Sequence, residues 1–275
     1  MKIIFFAVIP LLLLASCKSN TGQTATDTAA VKPVNKNITL IKQYKPILSG
    51  VWVKGDYVAQ VIKTKSTVQA ANKVVGITIM IIDTTKMVND SVMVRVGYNN
   101  YQAGLVPLKL RPGKIQASVV FGDDALGYTI LSGDTTLTLY QYYQGKLYET
   151  PYIKALSADP TNNIGFGMNY IINKNLISGT YTFTNSNGKP VTVTFKNDGT
   201  VSGLLKYSRY VVENDRKRQP MTNLDEITFD EYGSDQHSYA FTIEDNTLNL
   251  YETKPNAGAT LKIIDKLKYK LVRAK

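Results

Sequence analysis

Leu48-Ser49-Gly50-Val51-Trp52 is answered further along the chain by Leu176-Ile177-Ser178-Gly179-Thr180-Tyr181. In both stretches a serine and a glycine lead into a segment with an aromatic residue two places after the glycine. A second echo sets Asp134-Thr135-Thr136-Leu137-Thr138-Leu139-Tyr140 against Asp245-Asn246-Thr247-Leu248-Asn249-Leu250-Tyr251. The two echoes occur in the same order, which is what one architecture used twice leaves in a sequence. A chance match of two short strands is the alternative.

Outward from the first echo, Tyr57, Val58, Val61 and Ile62 recur at helical spacing and predict a short helix from about Asp56 to Ala70. Strands follow. Val74 to Ile82 is rich in Val and Ile, and Val92, Val94, Val96 and Tyr98 alternate with Met93, Arg95 and Gly97. Further runs cover Gln102–Leu110, Lys114–Phe121, Gly127–Leu131, Thr135–Tyr143 and Lys146–Leu156, separated by turn formers such as Asn99-Asn100, Pro112-Gly113 and Ser132-Gly133-Asp134. Ser157 to Asn175 loses alternation and reads as a linker in which Phe166 and Tyr170 are available for docking. After it, Tyr181 and Phe183 share a face, as do Val191, Val193 and Phe195, then Tyr239, Phe241 and Ile243. The last strand puts Leu267, Tyr269, Leu271 and Arg273 on one side and Lys266, Lys268 and Lys270 on the other.

The expected class is all-β: two consecutive antiparallel up-and-down barrels of about eight strands, the first with a short helix after its first strand. The expected order is a signal peptide (1–16), a flexible tether (17–44), barrel 1 (45–157), a linker (158–175) and barrel 2 (176–275).

The N-terminus sets the expected location. Met1-Lys2 precedes the unbroken apolar run Ile3–Leu14, which is shorter than the roughly 20 residues a membrane-spanning helix needs. A charged start, a short apolar centre and small residues make a secretory signal. The chain holds 32 basic and 21 acidic residues for a net +11, a balance suited to anionic partners, yet it has no recognisable nucleic-acid motif. One cysteine permits no intrachain disulfide, and His237 is the only histidine.

Together these residues resemble the lipocalin-like, or calycin, barrels found in bacterial lipoproteins. Gly50-Val51-Trp52 is similar to the Gly-x-Trp of the lipocalin first strand, whose Trp closes one barrel end beneath an Arg from near the last strand. Carried over, the resemblance implies a barrel-closing pair of Tyr181 and Arg273 in the second unit, held by a cation–π contact of roughly 0.5–2 kcal/mol. In the first unit Lys154 stands in the last strand instead. Leu14-Ala15-Ser16-Cys17 resembles a lipobox, which implies lipid attachment at Cys17 and cleavage before it. Lys18, with nothing acidic before Asp27, resembles the outer-membrane-sorted kind and implies an envelope protein facing the periplasm.

The second unit carries bulky inward residues on nearly every strand, so a packed interior is expected there. The first unit, with smaller Val and Ala117, is the one more open to a ligand, and Trp52, Tyr98, Tyr128 and Tyr143 are its candidate ligand-binding aromatics. No catalytic residue, metal ligand or cofactor is assigned. His237 beside Ser234, Asp235 and Ser238 is read as a surface histidine, since a triad is assembled by the fold and not by neighbours in sequence. Asp225-Glu226 and Asp230-Glu231 are read as solvated charge, and Lys262, Lys266, Lys268 and Lys270 as protection of an edge strand. The expected function is a non-catalytic, outer-membrane-anchored protein that binds a small apolar ligand or an envelope protein. The alternatives are a structural accessory subunit with filled barrels and, less favoured, a glycan or ester hydrolase.

Overall fold

The computed structural model describes residues 36–214, 221 and 223–274. Cys17, the signal segment, residues 17–35 of the tether and Arg216-Lys217-Arg218 lie outside the described residues. From Asn35 onward the chain forms one compact unit.

Its first sheet is a closed eight-stranded meander: β1 (Gly50–Lys54), β2 (Ile77–Ile82), β3 (Ser91–Tyr98), β4 (Gln102–Pro112), β5 (Ser118–Phe121), β6 (Asp124–Leu131), β7 (Asp134–Tyr143) and β8 (Lys146–Leu156). Closure comes from β1, which pairs with β2 on one side and β8 on the other, so that Trp52 faces both Met80 and Lys154. The two-residue turns Ser132-Gly133 and Gln144-Gly145, all four residues at positive φ, join their strands in the manner that matches strand twist. Helix α1 (Lys36–Leu48) precedes the barrel, and α2 (Gly55–Thr64) follows β1. The helix after β1 is thus present but ends earlier than the spacing predicts. Lys65, in the left-handed region, terminates it, and Ser66–Ala70 turns away.

The stretch read as a linker contains helix α3 (Phe166–Leu176), with Met168, Ile171, Ile172 and Leu176 buried. The second sheet then runs β9 (Gly179–Thr184), β10 (Pro190–Phe195), β11 (Val201–Ser202), β12 (Tyr210–Val212), β13 (Glu226–Phe229), β14 (His237–Glu244), β15 (Thr247–Pro255) and β16 (Lys262–Arg273). Both sequence echoes fall on equivalent strands: β1 with β9, and β7 with β15. In each half a helix leads into an eight-strand meander whose last strand pairs with its first.

The expectation of two closed barrels is corrected here. Only the first sheet closes; the second is an open sheet ordered β11-β10-β9-β16-β15-β14-β13-β12. The reason is local. β11 has two residues and β12 three, and between them the chain makes only the isolated bridge Thr200↔Arg209. Two backbone hydrogen bonds flank it, Val201 N to Ser208 O at 2.9 Å and Tyr210 N to Gly199 O at 2.7 Å. That is too little to make a ladder.

Two apolar clusters hold the unit together. One fills the closed barrel and includes Tyr44 and Leu48 of α1, which plug one end. The other combines the concave face of the second sheet, α2, α3 and the outer wall of the barrel at Val51, Val53, Ile79 and Ile81. β1 and β2 are therefore buried on both faces, and every one of their residues is buried.

Candidate binding site

The barrel lumen is the first place to look, and much of it is packed core. Trp52, Met80, Leu108, Leu137, Leu139 and Tyr152 each have 0 % exposure, so their surfaces leave no room for a water molecule beside them. An eight-stranded barrel is narrow enough to be filled in this way. The plug is bonded in place: Tyr44 Oη donates to Ala117 O at 2.6 Å, and its ring meets Tyr128 edge-on at 4.9 Å. Burial, with Tyr128 and Tyr140 nearby, pushes the Tyr44 phenol up to about 12. At the far end Tyr152 Oη donates to Ile77 O at 2.6 Å, and burial raises its pKa strongly. Of the four aromatics proposed for a ligand, Trp52 is core, Tyr98 and Tyr128 pack partly against that core, and Tyr143 is 64 % exposed on the β7–β8 hairpin. They do not form one pocket. The expectation that the first unit is the more open to a ligand fails because α1 supplies the missing bulk.

The glycine-led echoes have the same local chemistry in both halves. Trp52 Nε1 donates to Leu48 O at 2.7 Å, and Lys154 Nζ stands 4.6 Å from its ring centroid. Tyr181 Oη donates to Ile177 O at 2.6 Å, Arg273 Nη2 donates to Tyr181 Oη at 2.7 Å, and the guanidinium carbon is 5.0 Å from the ring centroid. Each pair is an aromatic that hydrogen-bonds the carbonyl four residues back, under a cation from the last strand. Burial lowers the Lys154 pKa and raises that of Tyr181, the latter opposed by Arg273. Glycine is required beneath both. A Cβ at Gly50 would meet Leu156 O at 2.7 Å, and one at Gly179 would meet Arg273 Nη1 at 2.8 Å. These are packing devices that seat the first and last strands together; in the second half the pair secures an open sheet.

Three of the four acidic residues, Asp225, Glu226 and Asp230, are structural. Asp225 accepts hydrogen bonds from Ser66 Oγ at 2.6 Å, Thr67 N at 2.7 Å and Val68 N at 3.0 Å. Glu226 is buried and held by Lys262 Nζ at 2.7 and 2.8 Å. Asp230 accepts from the backbone of Ser208 and Arg209 at 3.1 and 2.9 Å. Reading these acids as solvated charge is therefore corrected for Asp225, Glu226 and Asp230, which find partners in the fold, whereas Glu231 is exposed as that reading expects. His237 Nε2 lies 3.1 Å from Glu252 Oε2, and its ring lies 4.4 Å from that of Tyr239.

Two clefts lie in the second half. One of about 490 Å³ runs between α3 and the β11–β12 region, lined by Phe166, Tyr170, Asn173 and Arg209 among others. The larger, of about 850 Å³, lies where β9 and β16 part. Their ladder consists of Arg273↔Tyr181 and Val272↔Thr182 alone, and beyond it the strands diverge into a notch. Phe183 and Tyr269, 5.4 Å apart edge to face, lie on the inward side of that notch. Lys268 and Lys270 line it with the exposed Leu205, and no acidic residue lines it among the described residues. The lysine stripe was legible in the sequence. The notch was not, because strand divergence has no residue signature.

No family model, curated protein or solved structure matches this chain. The resemblance to tandem lipocalin-like barrels of bacterial lipoproteins is corrected accordingly: no homology supports it, and the second sheet is open. A Gly-x-aromatic turn under a cation is a packing solution short enough to arise in sheets of other ancestry.

Proposed function

We propose that this chain is a non-catalytic binding protein of the cell envelope, held at the outer membrane through a lipid on Cys17 and facing the periplasm. It engages its ligand or partner in the notch between β9 and β16, not inside the barrel. The observation that carries this reading is the contrast between a barrel filled and plugged by α1 and a notch of about 850 Å³ that combines aromatic and cationic walls. The closed half then acts as scaffold. An apolar interior with a few placed polar groups is the usual make-up of a binding concavity. Support for the anchor is the charged start, the apolar run Ile3–Leu14 and the small residues before Cys17. Lys18 and the absence of acidic residues before Asp27 support the outer-membrane face.

Metabolic labelling with an alkyne fatty acid is expected to tag the wild-type chain and to leave Cys17→Ala untagged. Equal labelling of both, or of neither, removes the anchor from the proposal. For the notch, a photo-crosslinking residue is placed at Leu205, 66 % exposed beside it, or at Leu105, 63 % exposed on the barrel's first sheet. In living cells Leu205 is expected to give a discrete adduct that Leu105 does not. Adducts from both positions alike, or from neither, sink the assignment of the site.

A further inference from the structure

Building on the notch as the binding site, we infer that its occupant is an extended peptide strand in which apolar residues alternate with acidic ones, added between β9 and β16. The first observation is the backbone. β16 runs for twelve residues, yet β9 pairs only with its last two. Along Ile264–Leu271 of β16 and at Phe183–Thr184 of β9, the edges facing each other carry no strand among the described residues. Unpaired strand edges are templates for another strand.

At Lys262 the edge shows what it demands. Asn223 presents its side-chain amide there, Oδ1 accepting from Lys262 N at 3.0 Å and Nδ2 donating to Lys262 O at 2.8 Å. One peptide-like group thus stands in for a neighbouring strand at that residue and marks where the open edge begins.

The second observation is the side chains. Successive residues of a strand point to opposite faces. One face of an inserted strand would lie towards Phe183 and Tyr269, which pack against the buried cluster. The other would lie among Thr182, Thr184, Lys268 and Lys270, all exposed. Glu252 Oε1 stands 3.9 Å from Lys268 Nζ and offsets part of its charge, while Lys270 makes no ion pair among the described residues. Apolar residues therefore match one face, and carboxylates the other. Lysines on an edge disfavour pairing with a second lysine edge, so the same residues that discourage self-association select an acidic strand.

The test uses the soluble form beginning at Lys18 and a labelled eight-residue peptide in which valine alternates with glutamate, read by fluorescence anisotropy. Two comparison peptides replace glutamate with lysine or N-methylate alternate amides to remove strand donors. Dodecanoate serves as an apolar anion without a peptide backbone. The valine–glutamate peptide is expected to bind, and N-methylation to weaken it more than tenfold. Lys268→Glu with Lys270→Glu, both at exposed positions, is expected to lose that binding and gain the lysine peptide, with an unchanged melting temperature. Equal binding of the N-methylated peptide overturns strand addition. If dodecanoate binds and no peptide does, the strand inference fails while the notch stands as a binding site; if none binds, both fail.

Discussion

Replacing Trp52 with alanine is expected to lower unfolding free energy by about 3–5 kcal/mol, the usual range for deleting a buried aromatic. Trp52 has no exposed surface, fills the barrel between Met80 and Lys154, and donates to Leu48 O at 2.7 Å. Alanine removes the bulk and leaves that carbonyl, at the end of the plug helix, without its donor. A buried acceptor so orphaned costs about 1–3 kcal/mol, and Lys154 loses the ring it covers. The loss is therefore expected to appear in α1 as well as in global stability. A drop in the urea midpoint at unchanged slope reads the stability, and faster tryptic cleavage after Lys42 reads release of the plug. Trp52→Phe keeps most of the bulk but not the donor, so its loss is expected to fall near the lower figure. A Trp52→Ala protein within about 1 kcal/mol of wild type would mean that the lumen can collapse, and the filled-barrel argument would go with it.

That residue also marks how far the sequence could be read. Alternation at Val92, Val94 and Val96, with turn formers between the runs, locates most strands of the first sheet, and burial along β3 follows the same period. The echoes place β1 against β9 and β7 against β15, in corresponding positions of two meanders. Closure was harder, because it depends on whether the third and fourth strands of a half can pair. Val201-Ser202 and Tyr210–Val212 are too short to show that either way. Helix α3 is hidden by three asparagines and Gly167, with Gly165 just before it, residues that favour loops locally. Met168, Ile171, Ile172 and Leu176 do follow a helical face, and the shared core overrides the weak propensity. Ile79–Ile82 is an unbroken apolar run without alternation, the mark of a strand covered on both faces. A free-standing barrel with a wet exterior has no reason for such a strand, so the run foretold that something packs against the outside of the first sheet.

What packs there is fastened by Asp225, and Asp225→Ala is expected to cost about 2–4 kcal/mol and to loosen one half from the other. The carboxylate crosses from the second half to the turn after α2. It accepts from Ser66 Oγ and the backbone of Thr67 and Val68, while Thr67 Oγ1 donates to Glu213 O at 2.8 Å. Hydrogen bonds to a charged acceptor contribute about 1.5–3 kcal/mol each, and backbone N–H groups left without one pay a desolvation cost. The bonds share one carboxylate and are not additive, which keeps the expected total well below their sum. Ser66 and Thr67 are themselves buried, so water is poorly placed to replace the lost acceptor. The contact also lies beside the cluster that joins Val58 and Val61 of α2 to Ile227 and Phe229 of β13. Its loss is expected to raise amide exchange first at residues 66–70 and along β13, and to leave the closed barrel's β3–β4 ladder protected. Asp225→Asn retains one oxygen for the backbone donors and should recover roughly half of the stability. If Asp225→Ala instead unfolds in a single transition within about 0.5 kcal/mol of wild type, with exchange unchanged at 66–70, then apolar packing alone joins the halves and the polar clamp contributes nothing measurable.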